Sequence, residues 1–365
     1  ITRNVTNCTS TGGSSIDTSI NTTFQSVVAP NDGYTLETLT VGMGGVDYTN
    51  RPNVITDMEW NGKPAKLITM ENVNEYDKRN GNVVFKEDVH KYWDLTDPTA
   101  EFISVTTLIE RFGQKFNKEF WSMYKSLEKL IPKEDWKTIS KTFRDKMKIP
   151  EEIYTMYDFT KQDAIKGQQD ILDEWQKNNE ESCTRGTAIH AELENSFYKM
   201  GTNCTLKKFG IGGKFVCDKG RTTLDLEDGV YPEYLISRVS DDGILRLAGQ
   251  IDLLVKKGHH YTILDWKTNK SIDKKGYYNS ATRTTTKMKY PLNNLDDCNF
   301  SHYNLQLSTY AWMIQKLDPK AEIDDLILNW YPHDGGNELF HMEYLKKDVI
   351  KMLSWYKKQK INEIN

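Results

Sequence analysis

The sequence predicts an α/β fold, a central mixed sheet flanked by helices, on three observations. Residues 249–267, GQIDLLVKKGHHYTILDWK, read as two apolar strands joined by a turn. Amphipathic helical patterns stand on both sides of them, RGTAIHAELENSFY at 185–198 and HYNLQLSTYAWMI at 302–314. DDLILNWYPHD then supplies a further buried strand, Leu326 to Trp330, ahead of a closing helix.

The hairpin carries the chemistry. Side chains alternate between the faces of a strand, so Asp265 and Lys267 project from one face, and Asp252 on the preceding strand can come up beside them. Two carboxylates and a lysine facing one cleft are poor packing, because buried charges are expensive unless paired or bound to metal. They suit Mg²⁺, which takes one or two carboxylates plus waters and phosphate oxygens. A neighbouring lysine can orient or deprotonate the attacking water and stabilise charge on the phosphate. The pattern D-x(12)-D-x-K therefore points to metal-assisted phosphodiester hydrolysis, with an ordinary solvated strand face as the alternative.

In the upstream helix Ala188, Leu193 and Phe197 fall at near-helical spacing, with His190 in its first turns. In the downstream helix Gln306 and Tyr310 are four apart and share a face. The ordered set GTAIH, YPE, GQIDLL, ILDWKT and QLSTYAWMI, within about residues 83–330, resembles the RecB-like branch of the PD-(D/E)XK nucleases. That branch includes nuclease domains of bacterial recombination complexes, CRISPR-associated exonucleases and many phage exonucleases. The resemblance implies a restriction-endonuclease-like core acting on DNA with one or two Mg²⁺ or Mn²⁺ ions. It implies metal ligation by His190, Asp252, Asp265 and the backbone carbonyl of Trp266, with Lys267 as the catalytic lysine. Gln306 and Tyr310 match a Q-x3-Y helix that holds the substrate strand and the lysine, and Glu233 matches a catalytic-site acid ahead of the first strand pair. His259 and His260, consecutive on a turn, read as solvated.

From the N-terminus, residues 1–52 are rich in Thr, Ser, Asn and Gly with short alternating runs. NDGYTLETLTVGMGGVDYT resembles part of an immunoglobulin-like β module of phage and bacterial surface proteins, which gives an expected partner surface for phage or recombination proteins. Residues 53–82 read as a linker or peripheral hairpin, with turn signals at Asn61-Gly62 and Asn80-Gly81-Asn82, and 83–365 as the nuclease domain. VVFKEDVHKYWDL and FISVTTLIERF read as a strand pair entering a helix capped from the Ser/Thr cluster at 104–107. Residues 114–180 read as helical, with one apolar cluster at Phe120, Trp121, Met123 and Tyr124 and another at Trp136, Phe143 and Met147. Pro150 breaks the pattern before a new helix. Residues 201–230 read as strands or a loop at the sheet edge, and the closing helix presents Leu345, Val349, Met352, Leu353 and Tyr356.

The chain has 365 residues, 27% charged and 38% hydrophobic, the balance of a soluble globular protein with no membrane partner. It opens on Ile1, without a signal-peptide pattern, and reads as processed or as an internal fragment. A net charge of −4 excludes a globally basic coat, yet Lys267 to Lys289 holds seven Lys or Arg and one acid. Lys270, Lys274 and Lys275 in this stretch are expected to track phosphates, and Tyr277 and Tyr278 to stack on bases. Five cysteines show no C-x2-C pair, and none follows Cys298, so an iron–sulfur cluster is not expected and reduced thiols are. The expected setting is the cytoplasm of a host cell, with the virion as the alternative. A metal-dependent DNA exonuclease is the favoured function. A structure-specific or nicking endonuclease of the same superfamily and a non-catalytic DNA-binding virion component are the rivals. Asp265→Ala and Lys267→Ala are expected to abolish cleavage with little effect on folding, both side chains standing at a solvent-lined cleft.

Overall fold

The computed structural model describes residues 78–364 apart from 87–88, 98–99, 218–225 and 280–281. Before Lys78 it describes only short antiparallel strand pairs: Cys8–Ser10 with Val28–Pro30, Gly42–Met43 with Val46–Asp47, and Ile55–Trp60 with Lys63–Leu67. The immunoglobulin-like reading of 1–52 lies outside the described residues.

A three-stranded antiparallel meander comes first, β1 (Lys78–Asn80), β2 (Val83–Lys86) and β3 (Lys91–Asp94). β4 (Ile103–Ser104) runs directly into α1 (Val105–Glu110), where the Ser104 hydroxyl accepts from the Thr107 N–H as the Ser/Thr cluster predicts. α2 (Lys118–Leu130) and α3 (Lys133–Lys146) follow, then a single helical turn at Ile153–Met156. α4 (Lys161–Met200) opens on a capping box between Thr160 and Asp163. The small hairpin β5 (Cys204–Leu206) and β6 (Ile211–Phe215) precedes β7 (Gly229–Val239), β8 (Arg246–Lys257) and β9 (His260–Lys267). α5 (Asn299–Leu317), β10 (Glu322–Trp330), β11 (Glu338–His341) and α6 (Lys346–Ile364) complete the chain.

The central sheet is mixed, as expected. β7 lies antiparallel along one edge of β8. The other edge is shared: β9 pairs antiparallel with the C-terminal half of β8 as far as Leu253–Leu264, and β4 pairs parallel with its start at Leu247 and Ala248. β10 runs parallel to β9, and β11 closes the far edge. β8 and β9 therefore part at Leu253, leaving a fork at Gly249–Asp252.

Alternation along these strands feeds two cores. Leu254, Ile263, Leu326 and Leu328 pack with α1, α5 and α6, while Leu253, Val255, Leu264 and Ile327 pack with Phe197 of α4 and the β5–β6 hairpin. The meander seals its own edge through Phe85, Tyr92, Leu235 and Ala248, and Asn80 Nδ2 donates to the Leu235 carbonyl.

α2, α3 and the first turns of α4 enclose a separate aromatic core. Tyr124 meets Trp136 at 4.6 Å between ring centroids, which merges the two clusters expected from sequence into one. Met147 does not belong to it. The residue caps α3 in the left-handed region (φ 48°) and is 42% exposed, because the helix ends there and turns its side chain outward. Leu345 sits just before α6 rather than within it.

Candidate active site

Past Leu264, β9 pairs only with β10, where Asp265, Trp266 and Lys267 oppose Leu328, Asn329 and Trp330. Its other edge is free, and the Trp266 backbone uses that freedom in two ways. Its N–H donates to Asp252 Oδ2 at 2.6 Å, and its carbonyl oxygen stands 3.2 Å from His190 Nε2. The Trp266 indole points the other way, stacked on Phe197 with 6.0 Å between ring centroids. Burial of that ring anchors the strand.

Register puts three acids in one row. Asp252 and Asp265 lie one step beyond the Leu253–Leu264 pair, and Glu233 falls opposite Asp252, between the pairs Pro232–Leu253 and Tyr234–Ile251. Like charges opposite one another across strands are destabilising. Glu233 also takes φ 50°, a left-handed conformation that a side chain with a Cβ adopts at an energetic cost. A row of carboxylates with a strained member stands only if something cationic is gained.

His190, on the penultimate turns of α4, reaches over this row. Its Nδ1 is 3.4 Å from Glu233 Oε1 and 3.8 Å from Asp252 Oδ1, and ligand atoms of the three residues all lie within 4.8 Å of one another. Burial alone would disfavour an imidazolium, but the Asp252 and Glu233 charges outweigh it and raise His190 to about 9. Burial raises Asp252 above the ordinary carboxylate range and Asp265 to about 6, against the pull of Lys267. Burial works against the Lys267 ammonium too, yet Asp265 and Asp252 together shift it upward, so it is held as a cation.

Asp265 stands next to the His190–Glu233–Asp252 group rather than within it. Its Oδ1 accepts from Gln306 Nε2 at 2.9 Å. Its buried Oδ2 pairs with Lys267 Nζ at 2.6 Å. Asp265 is 1% exposed and Asp252 7%, so the two carboxylates are buried rather than lining an open cleft.

The donor set suits a hard divalent ion. The His190 imidazole and the Glu233 and Asp252 carboxylates would hold it, their ligand atoms lying within 4.8 Å of one another.

Gln306 and Tyr310 come in from α5 as the i, i+4 spacing predicts, 3.5 Å apart. Tyr310 fixes an upstream residue: a Cβ on Gly249 would come within 2.6 Å of its ring. Burial raises the Tyr310 phenol well above its ordinary value. Lys270, Lys274 and Lys275 are exposed, on the segment that leaves β9. Lys274 stands 4.7 Å above the Phe340 ring, outside the acid row. His259 and His260 pair separately with Asp318 and Asp324, each at 2.8 Å, at the opposite end of the hairpin.

Two contributors were not singled out from sequence. The Tyr303 ring lies 4.9 Å from Lys267 Nζ and its hydroxyl donates to Asn269 Oδ1 at 2.6 Å. Its position three before Gln306 on one helix face was the available signal. Arg185, just ahead of the GTAIH run, donates to the Thr268 and Pro332 carbonyls at 2.8 and 2.9 Å, tying α4 to the ends of β9 and β10. Nothing local announced that clamp, since both carbonyls come from distant sequence.

The family model of the PD-(D/E)XK nuclease superfamily matches residues 166–363, more than half of the chain, and spans His190 through Tyr310. The chain belongs to the PD-(D/E)XK nuclease superfamily, whose members are metal-dependent nucleases. A search of curated proteins finds no match. One solved structure, "Crystal structure of SSO0001", is similar at 16% identity and a TM-score of 0.21, over 37% of this chain and 51% of that one. The chain thus spans about half the length of that relative. Among the described residues no helix is long and apolar enough to cross a membrane.

Proposed function

We propose that this protein is a Mg²⁺- or Mn²⁺-dependent deoxyribonuclease of the RecB-like branch, an exonuclease of the phage type that removes nucleotides from DNA ends. The observation that carries the reading is the row Glu233–Asp252–Asp265, capped by His190 and the Trp266 carbonyl and flanked by the charged Lys267. His190, Asp252, Asp265 and the Trp266 carbonyl hold the ion, and Glu233 completes the acidic row beside His190 Nδ1. A divalent ion there supplies charge for the phosphate and a bound water of lowered pKa.

The remaining work falls to side chains. Lys267, kept protonated by Asp265 and Asp252, places positive charge and N–H donors where a phosphoryl oxygen and the attacking water meet. Gln306 fixes the Asp265 carboxylate, and Tyr310 fixes Gln306. Lys270, Lys274 and Lys275 engage the phosphates of the entering strand. The resemblance that favours ends over internal sites also favours a place in recombination, repair or DNA processing in the cytoplasm.

The test is cleavage of end-labelled linear DNA beside a covalently closed circle, with Mg²⁺, Mn²⁺ or EDTA, for wild type and Lys267→Ala. Metal-dependent loss of the linear molecule alone, absent in the variant, is the expected result. Cutting of the circle would make the protein an endonuclease. Cutting of neither, by a protein that still binds DNA and divalent metal, would leave a binding role.

A further inference from the structure

Among the described residues the exposed aromatic side chains are not scattered. Phe116 is 64% exposed, Tyr277 56%, Tyr278 57% and Tyr290 70%, and all lie on two segments that touch one another. The Lys289 N–H donates to the Phe112 carbonyl at 2.7 Å, and Gln114 Nε2 donates to the Lys287 carbonyl at 3.0 Å. Trp121 meets Tyr277 edge-on at 6.2 Å, and Phe116 meets Trp175 of α4 at 5.7 Å. Exposed apolar surface gathered in one place marks a binding surface.

This surface is tied to the active site and held stiffly. Tyr277 lies on the segment that begins at Lys267. Along the way Arg185 holds the Thr268 carbonyl, Tyr303 and Trp330 hold Asn269, and Asn299 bonds both Ser271 and Asp273. At Gly276 the backbone passes so close to Thr286 that a Cβ would lie 2.1 Å from its carbonyl oxygen, and the Thr286 N–H donates to the Tyr277 carbonyl at 2.9 Å. The rings are presented without loss of loop entropy on binding.

The charges around it differ by side. Lys115, Lys118, Lys270, Lys274 and Lys275 outnumber Glu119 and Asp273 beside Phe116 and Tyr277, whereas Asp173 and Glu174 outnumber Lys177 beside Trp175 on α4. Phosphates are drawn to the lysine side more than to the helix, and a base face suits the rings between them. A duplex exposes a base face only at its terminal pair, because its other bases are stacked on each other; an unpaired strand offers one at every nucleotide.

We infer that Phe116, Trp121 and Tyr277 form a base-stacking platform and that DNA approaches Lys267 across it as a single strand. This rests on the nuclease reading for the nature of the polymer, and it adds which form of that polymer the site takes.

The experiment measures binding in EDTA, where cleavage is silent. Fluorescence anisotropy compares a labelled single-stranded oligonucleotide, its blunt duplex and an abasic strand of equal length, for wild type, Phe116→Ala and Tyr277→Ala. Melting curves check that both variants, altered at exposed positions, remain folded. The expected result is tighter binding of the natural single strand than of the other two, weakened about tenfold by either substitution, with abasic binding unchanged. Equal binding of natural and abasic strands, or a duplex bound as tightly as the single strand, would overturn the platform. Cleavage of linear DNA by the same preparations separates the two readings. Metal-dependent cleavage without base-dependent binding removes the platform alone, whereas base-dependent binding without cleavage of any substrate removes the nuclease assignment alone.

Discussion

Histidines and acids meet at both ends of the β8–β9 hairpin, and the two ends have opposite fates. At the turn, His259 and His260 pair with Asp318 and Asp324 at 2.8 Å while remaining 54% and 52% exposed. Water screens those pairs, and each contributes little to stability. At the fork, Glu233, Asp252 and Asp265 line up under His190 with Asp265 almost sealed from water. There water does not screen the charges: burial raises Asp265 to about 6, and the Asp252 and Glu233 carboxylates raise His190 to about 9. Composition is nearly the same at the two ends. Sheet register and burial decide which end becomes a reactive site.

The sharpest way to break the comparison is to remove one charge from the row. Asp265→Asn is expected to lower the cleavage rate by about 10³-fold or more, a loss typical of removing a group that acts on the transition state. The same change should lower the melting temperature of the metal-free protein, because it leaves the buried Lys267 ammonium without its partner. Lys267→Ala should match the loss in rate and lower the melting temperature as well, since it strands buried carboxylates. The sequence alone suggests an unperturbed fold for both variants; their burial reverses that expectation.

Metal and pH give the next effect. Asp265 is raised in the folded state, so its contribution falls as pH climbs from about 4 through 6. His190 is raised as well, so the stability it adds is complete below about 6.5 and is lost as pH rises through about 9. Both trends weaken the metal-free protein with rising pH. Thermal melts should therefore show a larger stabilisation by Mn²⁺ at pH 8.5 than at pH 6, and Asp252→Asn should erase the difference.

A smaller effect is expected at Gly249→Ala. The new methyl group collides with the Tyr310 ring, which shifts Gln306 away from Asp265. Overpacking of this kind costs about 1–3 kcal/mol, and a rate loss of about 10- to 100-fold in the linear-DNA assay should accompany it. At the opposite extreme, His259→Ala and His260→Ala should leave cleavage unchanged and shift stability by about 0.5 kcal/mol or less in denaturant titrations.

What the sequence made legible is what short-range geometry determines. Period-two alternation put Asp265 and Lys267 on one face, helical spacing joined Gln306 to Tyr310, and the Ser104 cap followed from its residue type. Glu233 was legible as an acid in a motif, but its left-handed backbone was not, since it sits where the β7–β8 ladder skips from Pro232–Leu253 to Tyr234–Ile251. The length of α4 was hidden for a different reason. Residues 176–184 are exposed on every side, so no apolar stripe runs through them, and only the capping box at Thr160 and Asp163 marks where the helix begins. The boundary expected at residue 83 cuts a meander whose first strand is Lys78–Asn80, because Asn80-Gly81-Asn82 marks a turn within that unit and not its edge. Arg185 and Tyr303 act on partners that only folding brings near.

The most direct test is equilibrium binding of Mn²⁺, followed by electron paramagnetic resonance, to wild type, Asp252→Asn, His190→Ala and His260→Ala. Saturable binding of one or two ions that weakens at least tenfold in the first two variants and is unchanged in the third is the expected result. Equal binding by all four proteins would place the metal elsewhere and contradict the assignment of the acid row.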